Sequence, residues 1–203
     1  MGGALGFDGL DDGVALPGTQ RGPLDLTGDS LSIVTWAYLV STDDPPGGAQ
    51  TILGKCCDGD ANGYVFGIRA GNLGLALVTT DHPAASIFAG EILPAQRWVH
   101  LAATYDGAFA RIFVDGVEAG ASAVSGNLLH SELDARIGND SGGNPANGFN
   151  GLLDELAVFD RALTSGEILA IFQAGTSGFD TRLPADLAVT DLVAPSAVLA
   201  GQH

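Results

Sequence analysis

The stretch whose reading decides the fold runs from Trp98 to Gly120, WVHLAATYDGAFARIFVDGVEAG. Val99, Leu101, Ala103 and Tyr105 put one apolar face on a first strand. Ile112 and Val114 continue that period of two on a second strand, with Arg111, Phe113 and Asp115 on its other face. Asp106-Gly107 joins the two strands, and Asp115-Gly116 starts the next turn. Asp and Gly both tolerate positive φ, the backbone that lets turn twist match strand twist in a hairpin. No helical period competes, so this part of the chain reads as antiparallel β.

Working outward, Leu31 to Val40 is the clearest long strand. Ile33, Thr35, Ala37 and Leu39 share one face and Val34, Trp36, Tyr38 and Val40 the other. Apolar residues on both faces place it in mid-sheet, covered on both sides or lining a site. Further strands are expected at Gln50–Lys55, Tyr64–Ala70, Leu73–Thr79, Ser86–Ile92, Ala135–Gly138 and Gly151–Phe159. Ala4 to Leu16 reads as strand, acidic Gly-rich turn and strand. Dense turn signals between short strands favour an all-β, two-sheet antiparallel sandwich or jelly roll. One short helix is expected near the end. Thr164-Ser165-Gly166-Glu167 fits a capping box, Ile168, Leu169, Ile171 and Phe172 form an apolar stripe, and Gly175 fits a stop.

Composition sets the limits of function. Of 203 residues, 46% are hydrophobic and 16% charged, which is enough apolar material for a sizeable core. The 30 glycines suit many turns rather than long helices. Net charge is -16, from 24 acidic and 8 basic residues, and Lys55 is the one lysine. Such a surface repels phosphate, so neither nucleic acid nor an anionic membrane is an expected partner. No apolar run reaches the roughly 20 residues that span a bilayer, so membrane insertion is not expected. The acidic surplus suits either plain solubility or hard-oxygen ligation of Ca²⁺.

Three segments together resemble the laminin-G-like, concanavalin A-like jelly roll family. They are Phe7-Asp8-Gly9-Leu10-Asp11-Asp12, then Trp98 to Gly107 with Val114-Asp115-Gly116, then Gly148 to Leu156 running on into Phe159-Asp160-Arg161-Ala162-Leu163-Thr164. The resemblance implies a domain over residues 4–177, whose first and last strands pair. It also implies a non-catalytic binding or spacer module, often on a secreted or cell-surface protein, often with bound calcium, and with sugars or other proteins as partners. After Gly178 the texture changes. Residues 178–203 read either as a linker and one alternating strand, similar to the opening strand of a bacterial adhesion-type immunoglobulin-like repeat, or as a tail that packs on the sandwich. The chain is therefore expected to be a monomeric module within a multidomain protein.

Three candidate sites follow. The first is a Ca²⁺ site of Asp8 and Asp154, with help from Asp11, Asp12 or Glu155, since pairing of the end strands makes Asp8 and Asp154 neighbours and two adjacent carboxylates call for a cation between them. The alternative is that these aspartates bond their own turns. The second is a ligand-binding rim of Asp58, Asp60 and Asn62 with Asn139, Asp140, Asn144 and Asn147. Short oxygen and amide side chains suit sugar hydroxyls or a second Ca²⁺. The alternative is turn chemistry alone. Asp58-x-Asp60-x-Asn62-Gly63 echoes an EF-hand loop, but Arg69 stands where the twelfth-position glutamate belongs. The third is Cys56-Cys57, a vicinal disulfide, two free thiols or intermolecular links. Zinc is not expected, because no second cysteine pair exists. Trp36, Tyr38, Tyr64, Phe66, Trp98 and Phe113 are weighed as a sugar platform against the commoner reading as core. His82, His100, His130 and His203 lack ligand spacing, and His100 reads as a structural histidine with its bonds satisfied.

An enzyme of the β-glucanase type needs a Glu-x-Asp-x-Glu strand holding two carboxylates across the scissile bond. Asp154-Glu155 and Glu132-Leu133-Asp134 lack that pattern, and no Gly-x-Ser-x-Gly elbow occurs. A binding module is the expected class, with a spacer domain as the alternative.

Overall fold

In the computed structural model of the chain, Trp98–Gly120 folds as its alternation requires. β8 (Trp98–Tyr105) and β9 (Phe109–Val114) pair antiparallel, with Ala103 opposite Ile112. The structure describes residues 3–175, apart from 18, 20, 21, 47 and 57–61. The expected linker and immunoglobulin-like strand of residues 178–203, and with them His203, lie outside the described residues.

The remaining strands are β1 (Leu5–Asp8), β2 (Val14–Leu16), β3 (Leu31–Leu39), β4 (Gln50–Lys55), β5 (Tyr64–Arg69), β6 (Asn72–Leu77), β7 (Ala85–Phe88), β10 (Val117–Ala123), β11 (Ala135–Ile137) and β12 (Asn150–Phe159). One helix, α1 (Ser165–Ala174), follows β12. Two six-stranded antiparallel sheets result, in the orders β1-β12-β3-β8-β9-β10 and β2-β11-β4-β5-β6-β7. The fold is a β-sandwich, as the strand pattern required.

The core lies between the sheets. Ile33, Ala37 and Leu39 of β3, with Val99, Leu101, Ala103 and Tyr105 of β8, face Leu53, Phe66, Ile68, Leu75 and Ile137. β3 sits in mid-sheet, and its second apolar face is explained by α1. Ile168 and Ile171 of the helix bury Val34, Ala102, Phe113, Phe159 and Leu163 on the outer side. The Thr164 capping box is present, with Thr164 Oγ1 accepting from the Glu167 N–H at 3.2 Å and Glu167 Oε2 accepting from the Thr164 N–H at 2.8 Å.

Some elements depart from expectation. Asp115 and Gly116 both have positive φ, 48° and 77°, as their turn requires. At the other turn only Gly107 does, at 81°. Asp106 acts there through its side chain instead, Oδ1 accepting from the Ala108 and Phe109 N–H groups at 3.0 and 2.7 Å. The strand expected over Ser86–Ile92 stops at Phe88, and Ile92 is 68% exposed. β10 carries no apolar alternation and is largely exposed, so its sequence shows no strand period.

Candidate functional site

Two loops meet at one part of the sandwich surface. The first leaves β1 at Asp8 and enters β2 after Gly13. Asp8 Oδ1 accepts from the Leu10 N–H at 2.8 Å, and Asp12 Oδ2 accepts from the Asp8 N–H at 3.0 Å. This self-bonding bends the loop back on itself. It gathers Asp8, Asp11 and Asp12, whose carboxylate oxygens lie within 4.8 Å of one another at the surface. Three like charges so close repel unless a cation or solvent intervenes. The donors are hard oxygens, the set Ca²⁺ prefers, and each carboxylate keeps oxygen lone pairs beyond those used by the two N–H groups.

Asp154 does not join them. β1 and β12 do pair, but the register sets Asp8 opposite Asn150. Asp154 lies four residues on, opposite Trp36 of β3, roughly 13 Å along the strand at its ordinary rise. Its Oδ1 instead accepts from the Glu155 N–H at 3.0 Å, at a bulge where Glu155 takes a φ of 51°. The bulge also breaks the strict alternation of Asp154 and Glu155 across the strand.

The second loop runs from β11 to β12 and contains Asn139, Asp140, Asn144 and Asn147. Asp140, 8% exposed, organises it: Oδ1 accepts from the Asn144 N–H at 2.9 Å and Oδ2 from the Asn147 Nδ2–H at 2.8 Å. Asn144 Oδ1 caps a short 3-10 turn (Pro145–Asn147) through the Ala146 N–H at 3.0 Å. Asn139 is fully buried, and its Oδ1 accepts from the Asp140 N–H at 2.8 Å. These bonds give the amide-rich loop its shape. The two loops touch where glycines permit it. A Cβ at Gly148 would lie 2.8 Å from the Gly9 carbonyl carbon, and one at Gly13 would lie 3.4 Å from Asn139 Cβ. The acidic loop and the amide loop are thus one continuous rim.

Arg136, at the centre of β11, also reaches this rim, and the sequence reading passed over it. Its neighbours Ala135 and Ile137 point into the core. Alternation therefore sends Arg136 outward beside Gly13. The signal that finds it is a lone arginine inside an apolar strand.

Of the other rim candidates, Asn62 is half-buried, while Asp58, Asp60 and Cys57 lie outside the described residues. Cys56 is buried and disulfide-bonded. Among the weighed aromatics, Tyr64, Phe66 and Phe113 are core. Trp36, Tyr38 and Trp98 are half-buried on the outer side of the first sheet. Tyr38 and Trp98 meet edge-on at 5.9 Å, while Trp36 stacks on Phe172 of α1 at 5.8 Å. His100 corrects the sequence reading: it is fully buried against Trp36, and neither ring nitrogen has a hydrogen-bond partner. Burial lowers its pKa to about 4, against a smaller opposing effect of Asp115.

Among the described residues, no helix is long and apolar enough to cross a membrane. A laminin G-type family model, described as the concanavalin A-like lectin/glucanases superfamily, matches residues 8–169. Pappalysin-1 of Mus musculus is 27% identical over 193 residues, which is 89% of this chain and 12% of the relative, so the chain spans about an eighth of that protein. Among solved structures, the CBM40 of the Ruminococcus gnavus IT-sialidase, bound to α2,3-sialyllactose, superposes with a TM-score of 0.66 at 15% identity, covering 83% of this chain and 96% of that one. The heptameric SAP-like pentraxin of Limulus polyphemus gives 0.59 at 17% identity, with 84% and 85% covered. The binding domain of botulinum neurotoxin serotype G gives 0.57 at 15% identity, with 74% and 37% covered. At these identities the likeness is one of fold.

Proposed function

Since the chain belongs to the concanavalin A-like lectin/glucanases superfamily, we propose that it is a non-catalytic, calcium-binding module that binds a glycan or a protein partner, as one part of a larger secreted or cell-surface protein. The observation that carries this reading is the rim itself, where three surface carboxylates within 4.8 Å of one another adjoin an amide-rich loop. Asp8, Asp11 and Asp12 are the proposed Ca²⁺ ligands. Asp154 is left out of the set because the register holds it apart. The half-buried Tyr38–Trp98 pair is a second surface on which a sugar ring can stack. The glycan ligand of the CBM40 neighbour supports the choice of ligand class.

A spacer role is the second reading. The internal bonds of Asp140, Asn144 and Asn147 favour it, because those side chains are already engaged.

Thermal unfolding with excess Ca²⁺ and then with chelator separates the two. A ligand that binds the folded chain alone stabilises it by about 2.7 kcal/mol at one hundred times its Kd. We expect Ca²⁺ to raise the midpoint by several degrees, Asp12→Asn to abolish the rise, and Asp154→Asn to leave it intact. A midpoint indifferent to chelator moves the spacer reading ahead.

A further inference from the structure

We infer that Arg136, with the amide of Asn139 beside it, anchors the carboxylate of an acidic sugar at this rim. The inference rests on the glycan-binding reading above and names the ligand class.

In a chain with 24 acidic residues, arginines find carboxylates easily. Arg97 lies 3.0 Å from Asp115, Arg111 lies 2.6 Å from Asp106, and Arg161 lies 2.8 Å from Glu167. Arg136 is different. Among the described residues no carboxylate oxygen lies within 4.0 Å of it, and its Nε is buried without an acceptor. Asp140, the acid of the same loop, is engaged by Asn144 and Asn147 and makes no ion pair with it.

A second donor stands next to it. Asn139 Nδ2 is also buried without a partner. Its amide orientation follows from chemistry, because Oδ1 must face the Asp140 N–H that it accepts. The two residues flank one point: a Cβ at Gly13 would sit 3.2 Å from Arg136 Cδ and 3.4 Å from Asn139 Cβ. A Cβ at Gly143 would likewise lie 2.7 Å from Arg136 Nη1. Two residues without side chains thus let backbone approach the guanidinium closely, and Arg136 as a whole stays half-buried. A buried donor without an acceptor costs free energy, so two of them around one position mark a place for an acceptor. The planar fork of arginine matches a carboxylate in two parallel hydrogen bonds, and the adjacent amide supplies another donor. A neutral sugar offers hydroxyls, which gain less from a guanidinium.

The test titrates the full chain with α2,3-sialyllactose against lactose, and with a glucuronate-ended disaccharide against its glucose-ended counterpart. The carboxylates of Asp8, Asp11 and Asp12 oppose an anion nearby, so each titration is run in chelator and in excess Ca²⁺. We expect at least one acidic sugar to bind about tenfold or more tighter than its neutral partner. Arg136→Gln should erase that preference, and Arg136→Lys should keep only part of it. The exposed control Arg69→Gln should keep all of it. The Arg136 Nε–H resonance should shift with the acidic sugar and not with equal sulfate. Thermal midpoints confirm that each variant is folded. The inference is overturned by equal binding of acidic and neutral sugars, by a preference that survives in folded Arg136→Gln, by its equal loss in Arg69→Gln, or by the same response to sulfate. Binding of neutral sugars without an acidic preference leaves the glycan reading standing, whereas binding of no sugar removes both.

Discussion

Lys55 shows how a single residue can act against its usual habit. It is 1% exposed, and its Nζ donates to the carbonyls of Ser131 and Leu133 at 2.9 and 2.8 Å, with Asp25 4.0 Å away. Asp25 is shared with His130, whose Nδ1 lies 2.8 Å from it and whose pKa is raised by Asp25 and then Glu132. Replacing Lys55 with Met leaves carbonyls and a carboxylate with fewer partners in a largely buried place, at a cost of about 3 kcal/mol. Arg97→Met, which breaks an ion pair whose arginine is 52% exposed, should cost below about 1 kcal/mol. Denaturant unfolding of both variants checks this, and equal losses would refute it. His100 supplies a pH dependence. Its folded pKa of about 4 lies below the ordinary 6.5, so the unfolded chain binds the proton more readily. Stability is therefore held above pH 6.5 and lost as pH falls from there toward 4, on the order of 3 kcal/mol in all. His100→Leu removes the two unpartnered nitrogens and should flatten the stability profile over that window. A variant profile as steep as the parent's would show that other groups set it. Neither environment is visible in a sequence: nothing local marks Lys55 as buried, and His100 reads as a satisfied histidine until its neighbours are known.

At the scale of elements, α1 is a helix whose start was legible from four residues. Thr164 and Glu167 exchange hydrogen bonds, Arg161 holds Glu167 at 2.8 Å, and together these lower the Glu167 pKa to about 2, with Arg161 the main cause. Thr164→Ala should destabilise the domain by about 1 kcal/mol. At this chain length that is a fall of about 2–4 °C in midpoint. A shift within error would show that packing of Ile168 and Ile171 alone holds the helix. β3, β8 and β9 were equally legible, since a period of two along a strand is a local property. β10 was not, because an edge strand with an exposed pattern has no apolar period to read. The two Asp-Gly turns show the limit of turn chemistry: the same dipeptide works through backbone at Asp115 and through a side-chain oxygen at Asp106.

The whole molecule carries a net charge of -16. Self-repulsion of that size opposes the compact state and is screened over about 8 Å at physiological salt. The midpoint should therefore rise as NaCl goes from low ionic strength to physiological, and by a similar amount in KCl. A flat or falling midpoint would mean that local pairs such as Arg111–Asp106 outweigh the net repulsion. What the sequence by itself determined was the sandwich class, most of its strands, the capped helix and the family, because alternation, turn residues and caps act over a few neighbouring positions. What only the tertiary structure decided was which candidate residues come together. Asp8 and Asp154 belong to strands that do pair, yet register, which sequence specifies only through distant partners, puts Asn150 opposite Asp8 instead. The acidic loop at Asp8–Gly13 and the amide loop at Asn139–Gly148 lie far apart in the chain and meet because β2 and β11 are adjacent. Arg136 became a candidate when the fold showed that, among the described residues of so acidic a chain, no carboxylate stands within ion-pair distance of it.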